Sequence, residues 1–139
     1  MSVPARLRKF TDLNAVLTAQ RLHAKILKVM LNDKKVSKKY RSNISKIMID
    51  FTSDILSELV EAGFYKPETE GLKHNRLMHL DEVLKTIQKL ELHLNVIKFT
   101  IAKITYTDLE TIANLLIVLK KEIIAWQKST KEIEIKSSK

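Results

Sequence analysis

The 139-residue sequence predicts an all-α fold, an antiparallel up-down-up-down four-helix bundle. Three observations predict it. Gly63, Gly71, Pro4 and Pro67 are the only glycines and prolines in the chain, so few breaks are encoded and the elements between them are long. Apolar residues recur at spacings of three and four, the helical period, and a two-residue alternation fits none of these stretches. Short polar breaks separate four such stretches, and short connections make neighbouring helices antiparallel. With 45% apolar and 29% charged residues, the chain has the balance of a single domain spanning 1–139.

The first helix is expected over about 12–33, with Leu13, Val16, Leu17, Ala24, Leu27 and Met30 as its apolar stripe and Thr11 as its N-cap. Asn32, Asp33, Lys34 and Lys35 form a polar break, after which Ser37 caps a second helix over about 37–63. Ile44, Ile47, Met48, Phe51, Ile55 and Leu59 line that helix, and Gly63 is expected to end it in the left-handed conformation. Pro67 opens the third helix, about 68–103, with Glu68 and Glu70 near its positive end and Gly71 weakening the first turn. Its stripe is Leu77, Leu80, Leu84, Ile87, Leu90, Leu94, Ile97 and Ile101. Thr107-x-x-Glu110 reads as a capping box that starts the fourth helix, about 107–131, lined by Leu109, Ile112, Leu116, Leu119, Ile123 and Trp126. The residues after Lys131 read as a frayed tail.

Charge is unevenly distributed. The net charge is +9, and residues 1–36 alone hold eight bases against two acids. No acid stands between Asp33 and Asp50, where Lys34, Lys35, Lys38, Lys39, Arg41 and Lys46 all fall, while Arg21, Lys25 and Lys28 extend the same sign along the first helix. Bases at the start of the second helix oppose its macrodipole, at a cost of roughly a few tenths of a kcal/mol, so phosphate is the expected partner of this patch. Aromatic residues are only 6% of the chain, which favours a reader of backbone over a reader of bases.

Catalytic patterns are missing. With no cysteine there is no disulfide, thiolate nucleophile or cysteine-based zinc site, and no Glu or Asp stands three residues before His23, His74, His79 or His93, as a di-iron bundle requires. Glycine-rich phosphate loops and the nucleophile elbow are absent as well. Glu70 and His74, one turn apart, read as a surface pair, and Asp50, Asp54, Glu58 and Glu61 as one acidic helix face. A protein with no enzymatic activity, no metal or cofactor and no small-molecule substrate is expected. The longest apolar run, 115–119, is five residues, so a cytoplasmic protein without a membrane span is expected. That run, Leu115, Leu116, Ile117, Val118 and Leu119, goes all the way round a helix; with Ile124 it predicts a homo-oligomer contact through Leu115, Leu116, Ile117, Val118 and Ile124.

The order and spacing of several segments carry a resemblance. They are the basic start of the second helix, its ending Glu58-Leu59-Val60-Glu61-Ala62-Gly63, the leucine-rich third helix, the break Ile104-Thr105, and Ile123-Ile124-Ala125-Trp126 followed by Lys128. Over roughly residues 15–130 the chain resembles the accessory variability determinant (Avd) proteins of diversity-generating retroelements, and more distantly the four-helix proteins of ribosomal-RNA intervening sequences. The resemblance implies a ring-like homopentamer that binds a reverse transcriptase and its template RNA and supports mutagenic copying without doing chemistry. It also implies that Lys89 and His93, with Lys85 one turn earlier, face the reverse transcriptase or RNA; a lysine and a histidine stand there in place of the family's arginines. The alternatives are an adaptor bundle with protein partners only, and a peripheral protein on anionic membrane, which lacks aromatic anchors.

Overall fold

In the computed structural model, the backbone is described for residues 5–135 and the side chains for residues 14–135. The helices are α1 (Ala5–Met30), α2 (Lys46–Phe64), α3 (Glu70–Thr100) and α4 (Tyr106–Lys131), and no strand occurs among the described residues. A 3₁₀ turn, Lys38–Tyr40, and a π-helical turn, Arg41–Ser45, lead into α2. Each helix packs against its neighbour in the chain, and α1 closes the bundle on α4. Side chains tie every seam: His23 to Thr52 between α1 and α2, His79 to Glu58 between α2 and α3, Gln127 to Asp81 between α3 and α4, and Lys25 to Asp108 between α1 and α4. No helix among the described residues is long and apolar enough to cross a membrane.

The core runs along α2, α3 and α4 through Met48, Ile55, Leu59, Leu80, Ile87, Leu90, Ile112, Leu119, Ile123 and Trp126, as their periodicity predicts. Helix α1 differs. Its buried stripe is Ala15, Ala19, Leu22, Ile26, Val29 and the expected Met30, with the expected Val16 packed against it, while Leu17 is 39% exposed and Ala24 lies on the surface. Two registers on this helix satisfy the three-four rule; hydrophobicity ranks Leu17 above the alanines, but a close helix contact selects side chains by shape.

Several helix boundaries also depart from expectation. Helix α1 starts at Ala5, so Thr11 is inside the helix rather than at its cap; Ala5 to Lys9 are mostly strong helix formers. The side chains of Thr11 and Leu13 and the tail Lys136 to Lys139 lie outside the described residues. Ser37 precedes the 3₁₀ turn but makes no side-chain cap. Thr69, not Pro67, opens α3, its hydroxyl accepting from the Leu72 N–H at 3.1 Å. Thr105, two residues before the expected Thr107, opens α4 by accepting from the Asp108 N–H at 3.2 Å.

The ends of α1 and α2, and the segment after α4, receive side-chain donors from elsewhere in the fold. Gly63 is helical and no glycine has positive φ, so the left-handed cap expected there does not form. Instead Arg76, buried on α3, donates from Nε to the Ala62 carbonyl at 3.0 Å and from Nη2 to the Gly63 carbonyl at 3.5 Å, with its guanidinium 5.5 Å from the Trp126 ring centre. Ser45, the last residue of the π turn, donates its hydroxyl to the Met30 carbonyl at the end of α1 at 3.0 Å. Lys73 donates to the Ile133 carbonyl beyond α4 at 2.9 Å. Carbonyls left without a partner by the helix itself are thus met by a neighbouring element.

Candidate nucleic-acid interface

The topology brings the 31–45 connection and the 101–105 connection to the same end of the bundle. Asn32 organises the first: its backbone carbonyl accepts from the N–H groups of Lys35 and Val36, and its side chain accepts from the Lys34 N–H. Val36 is fully buried and pins the loop to the core. Lys34, Lys38 and Lys39 consequently stand outward, with Lys39 over the Tyr40 ring at 5.0 Å. Arg41, which begins the π turn, and Lys46, which follows it, line a surface cleft of about 450 Å³ together with Lys38, Ser42 and Ile49. Lys98 and Lys103, far in sequence from the run of bases at 34–46, come to this end from α3 and the loop after it. The up-down order of helices was the signal that could have placed them.

Carboxylates answer part of this charge. Asp108 is 4% exposed in the first turn of α4 and accepts from Lys25 Nζ at 2.9 Å and Lys35 Nζ at 2.6 Å. Burial pushes its carboxyl up, but the Lys35 and Lys25 ammonium groups and the Thr105 hydroxyl outweigh that and hold it at about 2. Lys25 and Lys35, expected among the phosphate ligands, therefore act as ties between α4, α1 and the first loop. Asp33 pairs with Arg41 at 2.5 Å and approaches Lys38 at 4.0 Å, and Asp50 pairs with Lys46 at 3.8 Å. Three carboxylates thus meet five bases. Lys28, Lys34, Lys39, Lys98 and Lys103 have no carboxylate partner among the described residues, so the end stays positive. Arg21 also has no carboxylate partner among the described residues but stands roughly 13 Å down α1 from Met30, on the shaft rather than the end.

Lys85, Lys89 and His93 make a second surface on the shaft of α3. Lys85 pairs with Glu82 at 3.3 Å, Lys89 is exposed, and His93 packs edge-on against Phe51 with ring centres 5.0 Å apart. His93 Nδ1 lies 2.9 Å from the Lys89 carbonyl, which can only accept, so Nδ1 carries the hydrogen and Nε2 of the neutral ring is an acceptor. The expected Glu70–His74 pair does not form; His79 pairs instead with Glu58 at 2.5 Å and stacks on Tyr65, so Glu58 leaves the acidic face of α2.

The apolar run on α4 divides. Leu116 is 2% exposed and Leu119 fully buried, and Leu115 packs against the same core, so Leu116 is removed from the expected subunit contact because the fold of one chain already covers it. Ile117, Val118 and Ile124 are about half exposed. Ile117 and Ile124 line two shallow hollows along the α3–α4 seam, opposite Leu94 and Leu92, with the Lys120–Glu91 pair between helices at 3.0 Å; Val118 lines neither. Among the described residues, no three His, Asp or Glu side chains gather as a metal site would need. Comparisons with known protein families, with curated proteins and with solved structures gave no match.

Proposed function

We propose that this chain is a non-enzymatic, oligomeric accessory protein that holds RNA by its phosphates at the basic end of the bundle. The observation that supports this reading is the meeting at one end of Lys28, Lys34, Lys39, Lys98 and Lys103, without carboxylate partners among the described residues, delivered by two connections and the ends of α1 and α3. The order and spacing of segments shared with the Avd proteins make a retroelement reverse transcriptase and its template RNA the proposed partners, with Lys89 and His93 as the contact on the α3 shaft. The half-exposed Ile117 and Ile124 beside Leu92 are the proposed contact in a ring-like assembly.

Electrophoretic retention of single-stranded RNA tests it. Five neutralised phosphates give a log-log salt slope of about −3.5, or roughly a hundredfold loss of affinity from about 50 to 200 mM salt. Lys34→Glu, Lys39→Glu and Lys103→Glu together should abolish retention without changing helicity, because none of the three supports an ion pair in the fold. No retention by the wild type, or retention indifferent to salt, overturns the reading. The exposed apolar seam of α3 and α4 favours the adaptor alternative, which predicts no retention at any salt.

A further inference from the structure

We infer that the cleft between Lys38, Arg41, Ser42 and Lys46 is a subsite for a single RNA phosphate, and that the Asp33 carboxylate occupies its cations until the phosphate displaces it. This rests on the RNA reading above and says which phosphate site the protein itself guards. Asp33 is the only acid between Asp12 and Asp50, and although it does not line the cleft its carboxylate reaches two of the cations that do. Its Oδ1 takes Arg41 Nη2 at 2.5 Å and its Oδ2 stands 4.0 Å from Lys38 Nζ.

The pair is built to exchange. It is monodentate, since Arg41 Nε has no hydrogen-bond partner among the described residues, and a guanidinium binds a carboxylate best through two parallel bonds. The groups are open to water, with side-chain exposures of 51% for Asp33 and 43% for Arg41. Lys38 is held only at the limit of ion-pair distance and Lys46 by one exposed partner, Asp50, at 3.8 Å. A carboxylate offers two oxygens to two of these cations. A phosphodiester seated in the cleft offers its oxygens to Arg41, Lys38 and Lys46 together and can accept from the Ser42 hydroxyl, so it collects more of the site than Asp33 does. The π turn shapes the cleft: its five-residue hydrogen bond, from the Lys46 N–H to the Arg41 carbonyl, brings Arg41 and Lys46 towards one face, with Ser42 beside them. Asp33 therefore acts as a resident counter-anion, lowering affinity for weak anions while leaving the site open to a polyanion bound elsewhere on the same end.

Asp33→Asn tests this by RNA retention at low salt, beside Glu110→Gln, which removes an equal charge at the same end from an exposed residue without an ion pair. Loss of one surface ion pair converts to about fivefold tighter binding for Asp33→Asn, against less than about twofold for Glu110→Gln. In an Arg41→Gln background the two substitutions should have equal effects. Asp33→Ser, read beside circular dichroism, repeats the test with a second side chain suited to a turn. If Asp33→Asn and Glu110→Gln behave alike in the wild-type background, or if Asp33→Asn weakens binding, Asp33 guards nothing and the inference falls while the RNA reading stands. If the wild type retains no RNA, both fall.

Discussion

Replacing Asp108 by Asn removes one buried charge and keeps the shape of the side chain. A carboxyl held at about 2, against an ordinary 3.8, favours the folded state by about 2.5 kcal/mol at neutral pH. Its lysine partners are 27% and 34% exposed, and their solvation trims the expected loss in Asp108→Asn to about 2 kcal/mol. The pH dependence follows from the sign: the folded carboxyl has the lower pKa, so its stabilisation is complete above about pH 5, declines as pH falls through 3.8, and is gone below about 2. The two proteins should therefore differ by about 2 kcal/mol near pH 7 and converge near pH 2, where a protonated Asp108 is nearly isosteric with Asn. Urea denaturation followed by far-UV circular dichroism measures both limits. A difference below about 0.5 kcal/mol at neutral pH, or one that does not shrink in acid, would refute the assignment of Asp108 as the tie between α1, α4 and the first loop.

Arg76→Met keeps the bulk of a buried side chain but strips two α2 carbonyls of their donor, and should lower stability by about 2–3 kcal/mol in the same assay, with Arg76→Lys recovering part of it. Thr105→Ala should cost about 1 kcal/mol while Thr107→Ala costs almost nothing, a contrast that urea midpoints resolve. Leu116→Ala should destabilise the chain by about 2–5 kcal/mol, whereas Ile124→Asp should leave its stability nearly unchanged and shift sedimentation towards smaller species. Unchanged sedimentation of Ile124→Asp would remove the α3–α4 seam from the proposed assembly.

Much of the fold is legible in the sequence because helix formation and amphipathicity are local. Leu80, Ile87 and Leu90 on α3, and Ile112, Leu119 and Ile123 on α4, occupy the core that their spacing assigns to them. The register of α1 is not legible in the same way: Ala15 and Ala19 gain their place from close packing, which no hydropathy pattern weights. The excess of bases around 34–46 is likewise plain in the sequence, but not which of them are free. Asp108 lies 83 residues from Lys25 and 73 from Lys35, and only the folded chain brings them together.

By itself the sequence determined that this chain makes four amphipathic helices and carries its positive charge towards one end, since periodicity and composition act within a turn or two of each residue. Tertiary structure alone decided how α1 and α2 are completed and which charges remain open. With no glycine in the left-handed conformation, Ser45 completes α1 from 15 residues away and Arg76 completes α2 from 14. A backbone carbonyl or an ammonium group is satisfied by whatever partner the fold sets within about 3 Å, and that distance in space has no counterpart in spacing along the chain.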